Sequence, residues 1–359
     1  MKIALIYLGR RGGGAKYSLE VAKALSVKCK VIAIISAQAW NMDEWDKTGI
    51  ELIKVATYTD VRSFILSSLN VHKYLELRDR LQNLAPGVLY YPMLHFWAPL
   101  INRMLPRHPK VITLHDPVFH LGERRWVRKI FRKINVRQAS RVIILSRVFI
   151  EDVKRLGMPA SKIDVIPHGE FDYGQKASNK QDSNTILFFG RLTPYKGIDV
   201  LLDAFPVVKK LVPAAKLIIA GSGDMAPFQE KLATLRDVIV VNRWIEDHEI
   251  SSIFNEASVL AVPYIDASQS GVIPISYVMG VPVVATKLGG LPEQVDDGVT
   301  GFLVPPRDKH ALAAALAKLL LDQTLRYNMG QAGRQKAKYE LSWDAVAEKV
   351  YQSCLRAVE

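Results

Sequence analysis

Cysteine is nearly absent from this chain: Cys29 and Cys354 are the only two in 359 residues. They are far apart in sequence, which excludes a disulfide framework and a cysteine-based zinc site. Long apolar runs are also missing, since none reaches the roughly 20 residues that a membrane-spanning helix needs. The opening stretch MKIALIYLG has an apolar core too short for a signal peptide and passes straight into GRRGGG. These absences make a reducing, cytoplasmic location the expectation. Acidic residues are scarce in one half only. Residues 1–172 hold 28 Lys and Arg against 15 Asp and Glu, whereas the remainder holds 20 of each. The first half therefore carries the whole net charge of +13, and a basic face of that kind seeks phosphates or anionic lipid. No recognised nucleic-acid motif or aromatic-interleaved basic strand accompanies it, so nucleic acid is not the expected partner.

What is present suits a folded α/β protein of two domains: 49% hydrophobic and 23% charged residues over 359 positions. Lys2–Tyr7 reads as a buried strand, followed by the glycine-rich loop GRRGGGAKY. A helix then carries Tyr17, Val21, Ala24 and Leu25 on one side, and Val31–Ser36 is a second strand. Gly12, Gly13 and Gly14 would let backbone N–H groups approach an anion, although GxGxxG is not in register and a plain turn fits as well. Further short strands at Val88–Tyr91, Val111–Leu114 and Val142–Leu145 imply a parallel, doubly wound sheet. The middle one of these runs into His115-Asp116-Pro117, at the strand end where such sheets bind ligands. Arg124–Ile134, RRWVRKIFRKI, reads as an amphipathic helix, basic on one side and aromatic-aliphatic on the other. Either it packs on its own domain or it lies against anionic lipid.

Glu170–Asn184 is polar and aperiodic, the expected linker. A second alternating set follows in ILFFG, KLIIAGSGD, VIVV, VLAVP and PVVAT. Its first member opens the most informative stretch, Ile186–Gly197, ILFFGRLTPYKG. A buried strand ends at Gly190, Arg191 and Lys196 project from the loop, and Ile198, Leu201, Leu202, Phe205 and Val208 begin an amphipathic helix. Strand, basic loop and helix N-terminus together suit a phosphate-bearing ligand, with the two cations gripping a diphosphate from two sides.

The pieces FFGRLTPYKG, LIIAGSGD, VPYIDASQSGVIPISYVMGVPVVAT and GGLPEQVDDGVTGFLVPP, preceded by VITLHD, VIILS and KIDVIPHGEFD, stand in one order along nearly the whole chain. In that order they resemble the family 4 retaining glycosyltransferases. The resemblance implies the α/β GT-B fold, two doubly wound Rossmann-like domains facing each other across a cleft. Residues 1–172 would be the acceptor-binding domain, 173–184 the linker and 185–340 the nucleotide-sugar domain, with a helix at 341–359 packing back on the first. It also implies that Arg191 and Lys196 clamp the diphosphate after Gly190, and that Gly221 and Gly223 let the backbone close around the nucleotide. Trp244, Ile245 and Glu246 would lie beside the base. Ser270 and Gly271 would offer backbone N–H groups to the phosphates, with Val272 following on the donor side. His115 matches the histidine that contacts the donor sugar, and Gly12 to Gly14 match the loop near phosphates and acceptor. No metal and no cofactor are implied, because Arg191 and Lys196 take the place of Mg²⁺ and Asp296-Asp297 falls in a turn.

One departure bears on the donor. The family's two glutamates, eight residues apart, fall on Ala267 and Ile275 in one register and on Ser268 and Ser276 in the other. Asp266 and Gln269 are the nearest substitutes for the sugar contact, and Glu293 is the next acidic candidate. The function implied is transfer of a hexose, glucose from a UDP-sugar in the first instance, to a lipid-linked or polysaccharide acceptor. The protein would sit in the cytoplasm, peripherally on the inner face of the cell membrane. A GT-B epimerase remains open, while a phosphorylase would need a pyridoxal phosphate lysine for which no motif stands. The missing glutamates also admit a catalytically inactive nucleotide-sugar or lipid-binding module.

Overall fold

The computed structural model describes residues 1–118, 125–174 and 184–359, apart from the side chains of 125–128. Most of the expected linker, residues 175–183, therefore lies outside the described residues. The chain forms two units: one of residues 1–118, 125–169 and Trp343–Glu359, the other running from Glu170 to Ser342.

In the first unit, β1 (Lys2–Tyr7), β2 (Lys30–Ser36), β3 (Glu51–Val55), β4 (Val88–Tyr91), β5 (Lys110–Leu114), β6 (Arg141–Ile144) and β7 (Ile163–Val165) form one sheet. Its order is β3-β2-β1-β4-β5-β6-β7, and neighbouring strands run parallel. Continuous apolar runs such as IALIY and VLYY suit strands covered on both faces. Two strands carry weaker signals. ELIKV is a part-exposed edge strand interrupted by Glu51 and Lys54, and β7 is only three residues long and half-buried throughout. The helix Gly13–Ser26 begins inside the glycine-rich stretch, one residue after Gly12. The helix Trp343–Val358 buries Val346, Val350 and Cys354. It is tied to β7, since Ser353 Oγ and Arg356 Nη2 donate to the Asp164 carboxylate at 2.6 and 2.8 Å.

The second unit holds β8 (Thr185–Phe189), β9 (Lys216–Gly221), β10 (Val238–Asn242), β11 (Val259–Val262), β12 (Val283–Thr286) and β13 (Gly301–Val304). The order is β10-β9-β8-β11-β12-β13, again parallel. The helix Ile198–Leu211 buries Ile198, Leu201, Leu202, Phe205 and Val208, the face its spacing marks out. In each sheet the winding reverses once, between β1 and β4 and between β8 and β11. A doubly wound sheet binds its ligand beyond the carboxyl ends of the strands at that reversal.

Candidate active site

At the reversal in the second unit the chain leaves β8 through Gly190, whose φ of 119° favours glycine. A 3₁₀ turn over Pro194–Lys196 follows. Gly197 then sits at φ 69° with its missing Cβ directed at the Pro263 carbonyl, which would be 1.9 Å away. Only glycine lets the β8 loop lie that close to the end of β11. The approach carries Lys196 inward. Its ammonium donates to the Tyr264 hydroxyl at 2.7 Å and lies 4.4 Å from the centre of the same ring. The Tyr264 hydroxyl is 3.1 Å from Ser270 Oγ. Arg191 stays exposed, its guanidinium donating to the Tyr195 hydroxyl at 3.2 Å. The expectation that both cations project from the loop thus holds for Arg191 and is corrected for Lys196, which is 8% exposed. A buried ammonium needs partners, and the ring and hydroxyl of Tyr264 supply them.

A Cβ on Gly190 would stand 3.4 Å from Lys196 Nζ and 3.7 Å from Val272 Cγ2, so these three residues meet at one point. Gly221 serves that point indirectly. Its own missing Cβ would strike the Gly190 carbonyl at 1.9 Å, so it is the chain itself that closes on Gly221. Ser270 also has a different part from the one expected. Its N–H donates to Gln294 Oε1 at 2.7 Å, and Gln294 Nε2 returns a bond to the Ser270 carbonyl at 2.9 Å. That N–H is committed to the protein, and the Ser270 side chain instead joins the Lys196–Tyr264 pair to the Val272 N–H, which donates to its Oγ at 3.4 Å. Gly271 leads into the helix Val272–Val278. Sequence reasoning missed Tyr264 and Gln294, although each stands inside a quoted motif, VPY and GGLPEQ.

Of the base-side residues, Trp244 is 53% exposed and Ile245 is buried. Glu246 caps the helix Asp247–Asn255, accepting the Glu249 N–H while Glu249 accepts its own. Glu293 is exposed in the short helix Leu291–Gln294. Gln269 is half-buried, and its Oε1 has no hydrogen-bond partner. At the positions of the absent glutamates, Ala267, Ser268 and Ile275 are buried and Ser276 Oγ donates to the Val281 carbonyl at 2.7 Å. Asp296 pairs with Lys336 at 2.7 Å, and Asp297 accepts the Leu303 N–H. Among the described residues, no group of three or more His, Cys, Asp and Glu is placed to share a metal ion.

In the first unit, Gly12 (φ 86°) precedes the helix Gly13–Ser26, which no side chain caps. Space is open above Gly12 and Gly13, while a Cβ on Gly14 would meet Met93 Cε at 2.7 Å, just beyond β4. His115 stands at the end of β5, its Nε2 at 2.9 Å from the Pro92 carbonyl. Because a carbonyl only accepts, Nε2 carries the hydrogen and Nδ1 is left as an acceptor. Burial holds the imidazole below its ordinary pKa against the opposing pull of the Pro92 bond and Asp116, so the ring is neutral at pH 7. Tyr17 packs edge-on to it with ring centres 4.6 Å apart.

The amphipathic stretch forms the helix Arg125–Gln138. Arg124 and the side chains of residues 125–128 lie outside the described residues. In the remainder both the basic and the apolar residues reach the surface. Lys129 and Lys133 are exposed, but so are Ile130 and Ile134, at 58% and 40%. Arg132 turns inward and donates to the Pro117 carbonyl at 2.5 Å.

Two parallel, doubly wound sheets, each with its basic or glycine-rich loop at the reversal, define a two-domain α/β protein of the GT-B class. Residues 183–322 match the family model for glycosyl transferases group 1, and residues 11–169 match that for glycosyltransferase family 4. The chain belongs to these family 4, group 1 glycosyltransferases. An uncharacterized glycosyltransferase of Methanocaldococcus jannaschii is 29% identical over 230 residues, 59% of either chain. A GDP-mannose-dependent alpha-(1-6)-phosphatidylinositol monomannoside mannosyltransferase of Mycobacterium tuberculosis is 32% identical over 176 residues, 46% of either chain. The chain thus spans about half the length of the curated relatives it matches. HepE of Anabaena, solved in complex with UDP, shares the fold with a TM-score of 0.78 at 18% identity, covering 99% of this chain and 100% of that one.

Proposed function

We propose that this chain is a metal-independent, retaining hexosyltransferase that takes glucose from UDP-glucose and gives it to a lipid-linked or polysaccharide acceptor. The observation that carries the reading is the fixed Lys196 ammonium beside Gly190, held by Tyr264, whose hydroxyl in turn meets Ser270, in the same loop as the exposed Arg191. As the bond from the sugar carbon to the diphosphate breaks, negative charge grows on the phosphate oxygen. A cation already oriented there stabilises that charge without reorganising. The pair would supply the charge that a divalent ion supplies elsewhere, so no metal or cofactor enters the proposal. Trp244, Ile245 and Glu293 are assigned to the nucleoside side, and Gln269, whose amide oxygen has no partner, to the sugar. In the first unit the open space over Gly12 and Gly13 receives an anionic group. His115 accepts a sugar hydroxyl at Nδ1.

UDP and UDP-glucose bind to HepE, whereas the M. tuberculosis relative is GDP-mannose-dependent, so GDP is the competing nucleotide. The lipid-linked acceptor follows the phosphatidylinositol mannoside named for that relative and the basic first half of the chain. We place the protein in the cytoplasm, on the inner face of the membrane, with Lys129, Ile130, Lys133 and Ile134 toward the lipid. The absence of any carboxylate at positions 267, 268, 275 and 276 favours the rival reading, an inactive nucleotide-sugar-binding module. Incubation with a panel of nucleotide-sugars in EDTA, following nucleotide release, tests both. Release from UDP-glucose supports the enzyme. Tight calorimetric binding with no release from any donor supports the module, and tighter binding of GDP than UDP overturns the choice of base.

A further inference from the structure

We propose that the outer strand of the second sheet, β10, is a seam on which a second copy of this chain pairs, antiparallel and about a two-fold axis at Val240. The seam is independent of the transferase reading and uses no residue assigned to the donor or the acceptor. Among the described residues β10 pairs on one side only, with β9. The phase of that ladder is fixed, because the Leu217 N–H donates to the Asp237 carbonyl at 2.9 Å and Val238 stands opposite Leu217. In a parallel pair this phase turns the N–H and C=O of Ile239 toward β9 and those of Val238, Val240 and Asn242 outward. The strand that presents this outward row is apolar, with Ile239 and Val240 53% and 38% exposed. Natural sheet edges are guarded by charge or proline. The outer strand β3 of the first sheet carries Glu51 and Lys54, whereas β10 reads Val-Ile-Val-Val-Asn and has no such guard.

A second copy suits this edge because residues 173–359, which contain it, hold 20 basic and 20 acidic residues, so two copies meet there without net repulsion. Pairing about Val240 sets Val238 opposite Asn242 and Val240 opposite itself, so every outward residue of the strand gains hydrogen-bond partners. Ile239 then lies beside Val241 of the second copy, an apolar cross-strand pair. The same register sets Asp237 beside Arg243 of the second copy. Within one chain these two already hold Lys209 at 2.6 Å and Glu249 at 2.7 Å, so the seam joins both ion pairs into one alternating row. A register centred on Ile239 or Val241 loses that charge match and leaves one end of the outward row unpaired. A seam of five residues buries less than the ~1,200 Å² at which standard interfaces begin, so the dimer is weak and depends on concentration.

Sedimentation velocity of the full chain, over a concentration series spanning the micromolar range, tests this. The expected result is a reversible monomer–dimer equilibrium that grows no further, because a two-fold seam consumes the edge of both copies. Val240→Pro removes an outward N–H and leaves the β9 ladder intact, as proline on an edge strand does. It should weaken the dimer about tenfold or more, since both bonds donated at the axis are lost. Ile239→Lys, at an exposed position, serves the same purpose if the proline variant does not fold. Hydrogen-bonded antiparallel partners have Cα atoms about 5.5 Å apart, within disulfide reach, so Val240→Cys should give a covalent dimer under mild oxidation. Ile239→Cys, opposite Val241, should not. A chain monomeric at every concentration would overturn the seam and leave the edge to an extended peptide of another protein. Growth beyond a dimer, or equal dimerisation by wild type and both seam variants, would overturn it as well.

Discussion

Single residues carry most of the chemistry proposed here, and Lys196 carries the largest share. Its ammonium is buried, so its energy depends on Tyr264. A hydrogen bond to a charged group contributes about 1.5–3 kcal/mol, so Tyr264→Phe should lower kcat/KM roughly tenfold while the fold survives. Turnover equal to wild type in Tyr264→Phe would make the tyrosine a packing residue only. His115 acts differently. With Nε2–H on Pro92, its free nitrogen is an acceptor, so His115→Ala should cut kcat strongly and leave nucleotide affinity near normal in a calorimetric titration. Equal losses in both would indicate a structural histidine. Two other histidines report on stability. Burial lowers the pKa of His95 and of His168 to about 4, and the charge on Lys73 adds to the effect at His95. Between pH 6.5 and 4 the unfolded chain takes up these protons and the native chain does not, so stability falls as pH falls, by about 1.4 kcal/mol per unit for each histidine. Thermal melts should show His95→Phe losing less stability than wild type over that range. An identical acid dependence in the two proteins would contradict it.

At the scale of elements, the strand ends at the reversal in each unit carry that unit's candidate residues, and the strands differ in how legible they are. Strands such as ILFFG and VLAVP stand out because parallel strands covered on both faces need unbroken apolar runs. The edge strand ELIKV and the three-residue β7 lack that pattern. Arg191, Gly190 and Lys196 are visible as a motif, but the inward turn of Lys196 is not. It depends on Gly197 passing 1.9 Å, by a missing Cβ, from the Pro263 carbonyl, a contact between residues 66 positions apart. A separation of 24 positions likewise hides the Ser270 N–H, which Gln294 claims from the next crossover. Gly197→Ala should therefore push the β8 loop off β11. The strain of φ 69° and the clash together should lower the second unit's melting temperature and weaken nucleotide binding. A melting curve and nucleotide affinity unchanged from wild type would remove the close approach as the device that places Lys196.

For the whole molecule, charge is segregated: the net +13 lies within residues 1–172. That segregation was fully legible, but the choice between a helix packed on its own domain and one turned to lipid was not, and Ile130 and Ile134 are exposed. Cations near an anionic membrane contribute roughly 1 kcal/mol each, and exposed isoleucines add burial in the headgroup region. Sedimentation with anionic vesicles should capture the wild type at low salt and release much of it as the Debye length falls below about 10 Å. A variant with Lys129 and Lys133 changed to Gln and Ile130 and Ile134 to Ser should stay in the supernatant, and equal sedimentation of the two would discard this face as the anchor. The central claim is that two protein cations drive departure of the nucleoside diphosphate. Nucleotide release from UDP-glucose in EDTA by wild type, Arg191→Ala and Lys196→Met tests it most directly. The account predicts activity in the wild type and losses of about 10²-fold or more in each variant, with both still melting cooperatively. Release that requires a divalent ion, or near-normal rates in both variants, would contradict it.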